Sequence, residues 1–445
     1  MRLWRDPLRW RWILWAMMGV GFLLVNANRL STAVLAEDLM AAFGTTGAQL
    51  GTLHAFFFWV YAAMQIPSGI LADRVGPRAT AAAGAAVMSV GTIGFAAAET
   101  YLVAVLARGL IGLGGSVIFV CILRFCATWF RADEFATMSG LTFTISGLGG
   151  VIATTPLAIA VGAVGWRTAI GSLGIVGFVT AVAVFALIRD TPTQAGFESI
   201  EGVPEQAPLT NAELRTSLEN VIRDPQVWVV ALMLFCATGV NLTLFGLWGV
   251  PYVVQSYDVT VTTASTITLL GSVGIMTGPP AIGWVSDRLD RRLELLVAGG
   301  GCFVACLALV TVVGRPPLPV LGVIFFSTGF LLGAFLLGFT VVKNRHPAGA
   351  SGISTGTVNA GAFVGAATLP TVMGWALDTY WTGEIVGGVR VYTPFGYRVA
   401  FGIATVAGAT AFGCALWLYH HERTTPRSAD AGNSNTDGLC ENDDD

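Results

Sequence analysis

The decapeptide GILADRVGPR from Gly69 to Arg78 returns 214 positions later as GWVSDRLDRR from Gly283 to Arg292, each copy closing a long apolar stretch. Both copies set an Asp-Arg pair, Asp73 with Arg74 and Asp287 with Arg288, beside further basic residues. Such a loop belongs where a chain leaving hydrocarbon meets water and anionic headgroups. A duplicated architecture with the loop at the same point of each half therefore puts both copies on one face, expected to be the cytoplasmic one.

Composition places that loop in a membrane. Hydrophobic residues make up 54% of the 445, charged residues only 11%, and mean hydropathy is +0.70, values outside the range of soluble domains. The formal net charge of −3 gives no electrostatic footing for a nucleic-acid partner. Six of the seven cysteines, Cys121, Cys126, Cys236, Cys302, Cys306 and Cys414, lie in apolar stretches and read as packing residues. The polar segments hold no phosphate-binding glycine loop and no catalytic constellation, so neither an enzyme nor an ATP-driven pump is expected, and no cofactor or metal.

A helix needs ~20 residues to cross the hydrocarbon core. Stretches of that kind run near 11–35, 48–72, 79–98, 102–130, 135–162, 167–188, 226–254, 262–285, 293–313, 318–342, 350–377 and 397–420. The fold class is all-α, with twelve transmembrane helices. The first run lacks a cleavage site and continues into Asn26, Asn28 and Arg29, so it reads as a span and not a signal peptide. With the N-terminus inside, seventeen of the 24 basic residues fall in inner segments, four (Arg167, Arg315, Arg390, Arg398) in outer ones and three within spans. By the positive-inside rule both termini are cytoplasmic in a cell (plasma or inner) membrane. Residues 1–188 are expected to hold the first six spans, 189–225 a cytoplasmic linker, 226–420 the last six spans and 421–445 an acidic disordered tail. Within the linker, TNAELRTSLENVIRD predicts a short surface helix capped by Thr210 or Asn211, with Leu214, Leu218, Val221 and Ile222 on one side. Small-residue pairs such as Gly274 with Gly278, Gly329 with Gly333 and Gly361 with Gly365 allow close helix packing. Pro67, Pro156, Pro251 and Pro279-Pro280 predict interruptions.

These residues carry a family resemblance: over nearly its whole length the chain resembles a major facilitator superfamily transporter. Gly69, Asp73, Arg74, Gly76 and Arg78 fit the family's G-x-x-x-D-R-x-G loop, with Pro77 in a usually basic place. The second copy keeps Gly283, Asp287, Arg288, Arg291 and Arg292 but has Asp290 for the glycine. Arg108, Gly112 and Gly114 match the fourth-helix R-x-x-x-G-x-G element. In the fifth span Thr155 precedes Pro156 where the antiporter pattern has glycine, so exchange is not inferred. The resemblance implies two six-helix bundles, related by an axis along the membrane normal, that rock about a central cavity. It assigns the two loops to conformational gating. Asp73 would face the N-terminal end of the eleventh helix near Ser351, and Asp287 that of the fifth near Phe135. The alternative is that both carboxylates merely cap their own loops.

Charges inside the membrane cost at least ~2.5 kcal/mol each and mark pathways. Arg29, Arg108 and Arg124 are the three. Arg29 resembles the first-helix arginine of the superfamily's organic-anion and organophosphate branches, and Arg124 a fourth-helix arginine of its anion symporters. Against ligand contact stand a pair of Arg29 with Glu37 or Asp38, a carbonyl-bound structural role for Arg108, and snorkelling of Arg124 to headgroups. His54, Phe58, Tyr61 and Gln65 share one helix side, as do Asn241, Phe245 and Trp248, and Thr355, Asn359 and Phe363. For each, packing or an interhelical hydrogen bond is the alternative. The candidate substrate-binding set is Arg29, His54, Tyr61, Gln65, Arg108, Arg124, Asn241, Trp248 and Asn359.

The first functional reading is a monomeric secondary carrier for a small organic anion, because unpaired arginines need a negative partner. The second is an exporter of hydrophobic drugs or cations, opposed by the lack of a mid-membrane acid; the third is a non-transporting receptor or scaffold. Uniport, exchange, or symport with a proton or cation held by His54 or by the outer acids Glu37, Asp38, Glu99 and Asp378 all stay open. A nitrate porter is disfavoured, since the second and eighth spans lack the arginine that resemblance would require.

Overall fold

The computed structural model describes residues 7–131, 134–198, 211–345, 348–386 and 388–424. The expected acidic tail beyond residue 424, linker residues 199–210 with Pro204, Pro208 and the expected cap Thr210, and Arg2 and Arg5 lie outside them. Among the described residues, eleven helices are long and apolar enough to cross a membrane, and a twelfth is a pair of pieces bent by 49°. We label them α1 (Pro7–Val34), α2 (Gly47–Ala63 with Gln65–Arg74), α3 (Pro77–Ala96), α4 (Tyr101–Trp129), α5 (Phe135–Ile152 with Thr155–Val164) and α6 (Trp166–Leu187). The second set is α7 (Pro225–Tyr257), α8 (Val261–Leu289), α9 (Arg292–Val313), α10 (Leu318–Arg345), α11 (Ala348–Thr379) and α12 (Pro394–Thr424).

Prolines explain most of the breaks. Pro67 has no N–H for the carbonyl four residues back and its ring presses on that carbonyl, so α2 bends at Met64. Pro156 sits just past the break in α5, and a wide π turn at Leu244–Trp248 precedes Pro251 in α7. The expected interruption at Pro279-Pro280 does not occur: α8 runs through both. Gly278 there packs backbone to backbone on α10, so that neighbouring helix braces the stretch that the two missing donors weaken.

Glycine sets the helix spacing as the paired positions predict. A Cβ at Gly278 would strike Phe330 and one at Gly333 would strike Gly278 at 2.7 Å, while Gly365 lies against Phe235 and Gly239 against Gly365. Helices α8 and α10 thus touch through backbone, as do α7 and α11, which maximises dispersion contact where lipid offers no hydrophobic drive. The linker helix is Asn211–Arg223, with Val221 buried but Ile222 exposed. Asp224 caps α7 by accepting from the Gln226 amide at 2.9 Å.

Two elements go beyond the expected spans. Leu35 ends α1 and a short helix, Ala36–Phe43, follows it, stopped by Gly44 at φ +60. Between α11 and α12 an antiparallel hairpin pairs β1 (Trp381–Val386) with β2 (Val389–Tyr392). Both lie on the face opposite the two Asp-Arg loops, called here the far face; the loops define the motif face.

Helices α1–α6 pack among themselves and so do α7–α12; the two sets meet through α2 against α11, α5 against α8, and α1 against α7. That seam is tight only in its far half. Gly51 lies so close to α11 that a Cβ would sit 2.5 Å from the Pro370 carbonyl, and one at Gly374 would sit 2.3 Å from that of Gly47. Thr155 and Thr266 hydrogen-bond between α5 and α8 at 3.3 Å. Toward the motif face the interface helices separate, and a Cβ on Gly69, Gly140, Gly283 or Gly356 would meet nothing within 4 Å. The molecule is closed on the far face and open on the motif face.

Candidate functional site

The Asp-Arg loops show why their glycine position matters. Gly76 has φ +93, and a Cβ there would also press on the Asp190 carboxylate, which accepts from the Arg78 amide at 2.7 Å. Asp290, at the equivalent place in the second copy, takes φ +49, a left-handed backbone that Asp tolerates better than most residues. Arg78 also donates from Nε to the Phe185 carbonyl at 2.8 Å, which ties the loop to α6. In this open state Asp73 pairs with Arg124 at 3.2 Å, and Asp287 with Arg292 at 3.5 Å. The side chains of Ser351 and Phe135, the expected helix-end partners, lie outside the described set. Arg288 stacks on Trp284 with its guanidinium 5.1 Å from the ring centre.

At the centre of the seam stands Arg29, 9% exposed. Its Nη1 donates to Asn26 Oδ1, one turn back on α1, at 3.1 Å. Nε and Nη2 are buried with no acceptor in hydrogen-bond geometry, the Tyr61 hydroxyl facing the guanidinium without that geometry, and the side chain forms no ion pair with Glu37 or Asp38. Three rings surround the guanidinium, with centres at 5.9 Å (Phe57), 5.0 Å (Tyr61) and 5.1 Å (Phe363). Tyr61 and Phe363 touch across the seam at 4.4 Å. One turn toward the motif face, Asn359 donates to Gln65 Oε1 at 2.6 Å, and Gln65 Nε2 donates to the Tyr61 carbonyl. Arg29, Tyr61, Gln65 and Asn359 are therefore one cluster, built from both halves.

The other expected residues divide around it. Arg108 is 1% exposed and shares the Phe57 ring with Arg29, at 5.3 Å. It donates from Nη1 to the Asn28 carbonyl at 2.8 Å, tying α4 to α1, while Nε and Nη2 have no acceptor. His54 is fully buried, 5.1 Å from Phe58 by ring centres, and packs on Gly246 of α7. The Leu242 backbone faces it without hydrogen-bond geometry, and neither ring nitrogen has a partner. Asn241 bonds back to the Ala237 carbonyl of its own helix, and its Oδ1 is unmet. Trp248 donates to the Pro370 carbonyl at 3.0 Å, inside the second half. Phe245 turns to Phe325 and Gly271, also within that half. Arg124 is far from the cluster, on Asp73.

Asn26, Phe57 and Phe363 join the cluster without having been among the expected binding residues. Helical spacing carried the signal for all three, Phe363 lying on the side shared with Thr355 and Asn359. Asn26 lies three positions before Arg29, and Phe57 three after His54 and four before Tyr61, inside the polar face already drawn.

A cluster of this kind holds a fixed cation with two coplanar donors among aromatic walls and amides, an arrangement whose chemistry suits a planar anionic group such as a carboxylate. Comparison with known proteins agrees with the architecture. The Major Facilitator Superfamily profile matches residues 17–370. A protein named Probable sulfoacetate transporter SauU, of Cupriavidus necator, is 28% identical over 165 residues, which span 37% of this chain and 38% of that protein's length. The D-galactonate transporter of Escherichia coli O6:H1 is 24% identical over 84% of this chain and 91% of its own. The Probable galactarate/D-glucarate transporter GudP of Bacillus subtilis is 24% identical over 85% and 88%. Among solved structures, a bacterial homolog to the human lysosomal transporter Spinster superposes with a TM-score of 0.73 at 15% identity, covering 92% of this chain and 98% of that one. The chain belongs to the Major Facilitator Superfamily and is a solute transporter of that family.

Proposed function

We propose that the protein carries small organic anions through a cell membrane, both termini cytoplasmic, by rocking two six-helix bundles about the Arg29 cluster. The observation that carries this reading is the pair of buried N–H donors on Arg29 that meet no acceptor. Leaving such donors unmet costs ~1–3 kcal/mol per group, and an anionic cargo removes that cost when it arrives. Tyr61, Phe57 and Phe363 supply walls, and Gln65 with Asn359 supplies an amide pair that bridges the halves. The relatives named for sulfoacetate, D-galactonate and galactarate/D-glucarate support the substrate class. Asp73 and Asp287 act as gating carboxylates, engaging helix ends of the opposite half when the motif face closes. In the open state they are held by Arg124 and Arg292.

Purified protein in liposomes tests the reading against a panel of sulfoacetate, D-galactonate, D-glucarate and a lipophilic cation such as tetraphenylphosphonium. We expect at least one anion to be taken up by the natural protein and not by Arg29→Gln. Uptake of the cation alone, unaffected by Arg29→Gln, means the anion reading is wrong.

A further inference from the structure

The far face is shut by an interaction that the cargo site does not include. Asp378 closes α11, and its carboxylate accepts from the backbone amides of Gly47 and Ala48, each at 2.8 Å. Those amides open α2, in the other half. A helix start leaves four N–H groups without partners within the helix. Here a capping box serves two positions, Thr46 Oγ1 accepting from Gln49 N and Gln49 Oε1 from Thr46 N. Gly47 and Ala48 are served only from across the seam.

The second half holds the carboxylate ready. Tyr392 donates its hydroxyl to Asp378 Oδ1 at 3.3 Å, and Arg390 approaches the same oxygen at 3.5 Å. Both come from β2, which Gln255 of α7 fixes by donating to the Arg390 carbonyl and accepting from the Tyr392 amide, each at 3.1 Å. Burial, then the Asp378 charge, pushes the Tyr392 phenol above its ordinary pKa, so it stays a donor. The glycine at position 47 is required: a Cβ there would sit 2.7 Å from the Tyr392 hydroxyl and 3.2 Å from Asp378 Oδ1.

We infer that Asp378 is the positioning residue that locks the two halves together on the far face, its two interhalf bonds existing only when that face is closed. When the halves part, water reaches the two amides while Asp378 keeps Arg390 and Tyr392, so neither side is left buried and unmet. The lock can therefore open and re-form every cycle. It rests on the alternating-access reading for its role in transport, but its geometry is independent of Arg29.

Hydrogen exchange with mass spectrometry on the full chain in nanodiscs tests it, using the natural protein, Asp378→Asn and Tyr392→Phe. A carboxylate at a helix N-terminus is worth enough that Asp378→Asn should speed exchange about tenfold, a 1.4 kcal/mol effect. The rise should cover not only 46–48 but the whole seam, residues 50–58, 245–253 and 366–374, with α9 unchanged. Tyr392→Phe should give the same pattern more weakly. Faster exchange confined to residues 46–48, or none, overturns the lock and leaves the transport proposal standing. Should Asp378→Asn loosen α9 as well, Tyr392→Phe decides: a rise along the seam alone supports the lock, and no rise overturns it. If the seam loosens but even the natural protein moves no solute in the liposome panel, the lock survives and the transport reading fails.

Discussion

Replacing Arg29 by Gln separates a cargo-binding arginine from a structural one by the sign of two measurements. In the empty protein the substitution removes one hydrogen bond, to Asn26, worth ~1.5 kcal/mol. It also removes the stacking on the rings centred 5.0, 5.1 and 5.9 Å away, worth ~2 kcal/mol at a desolvated site. Against that it abolishes a buried charge costing at least ~2.5 kcal/mol and two unmet donors. With the donors at ~1 kcal/mol each the terms favour the variant by ~1 kcal/mol, so its Tm should hold or rise by a few degrees, at no more than ~2–4 °C per kcal/mol, the scale of domains smaller than this chain. Binding goes the other way. Two charge-assisted bonds to a carboxylate are worth ~1.5–3 kcal/mol each; the lower figure gives a loss of about 3 kcal/mol, on the order of 100-fold in Kd. Arg29→Lys keeps the charge but not the fork and should fall between. Thermal shift in detergent, with and without the anion found in the liposome panel, reads both quantities at once, since a ligand raises Tm through the native state. A fall of more than about 5 °C in the empty Arg29→Gln protein, with ligand stabilisation retained, would show that the guanidinium is a strut.

Gly51→Ala places a methyl 2.5 Å from the Pro370 carbonyl, backbone that cannot yield, while improving the intrinsic helix propensity of α2 by ~1 kcal/mol; uptake should drop at least ~10-fold with helical circular dichroism intact, and uptake within twofold of the natural protein counts against far-face closure. Glu37 is pushed above its ordinary 4.5 by burial first and the neighbouring Asp38 second. A raised acid destabilises the fold as pH climbs from the unfolded value through the folded one, so Glu37→Gln should raise Tm at pH 7.5 and leave it unchanged at pH 4. Equal shifts at both values would exclude the titration. Asp73 is 48% exposed in its pair with Arg124, so Asp73→Asn should cost under ~1 kcal/mol of stability. If it gates, uptake should still fall about tenfold, because the closed motif face then forgoes a helix-end interaction worth ~1.4 kcal/mol. Unchanged uptake makes the loop a simple cap.

Helix number and loop placement were legible in the sequence because they follow from local quantities, apolar length and basic flanks. The glycine pairs were legible for the same reason: spacing along one helix already puts Gly274 and Gly278 on one side, and the structure shows α10 lying against it. Distance in sequence hid the rest. Asp378 finds its amides 331 and 330 positions away, and nothing near it announces a partner. The hairpin Trp381–Tyr392 is anchored through its second strand by Gln255, on another helix. The short helix Ala36–Phe43 is eight residues long and begins with Glu37 and Asp38, too brief and too polar for a search tuned to spans. Pro279-Pro280 misled because local chemistry favours a break there, and close packing against α10 overrides it. For Arg124 the sequence offered cargo contact or snorkelling to headgroups, and its pairing with Asp73, 51 positions away, was hidden by the same distance.

The arrangement also constrains how cargo and motion are linked. A ligand shifts a two-state equilibrium only by its difference in affinity for the two states. Arg29 stands on α1, but Phe363 and Asn359, its neighbours across the seam, stand on α11. An anion seated on Nε and Nη2 therefore touches the first half permanently and the second only as far as α11 approaches. The same α11 carries Gly374, Pro370 and Asp378 to α2 on the far face. Movement of α11 away from α2 must stretch the Gln65–Asn359 bond and the Tyr61–Phe363 stack as it releases Asp378. Charge neutralisation at Arg29 and helix packing on the far face thus act on one moving element. On the proposed reading, that shared element would let a small anion bias a rearrangement of two whole bundles without reaching either Asp-Arg loop.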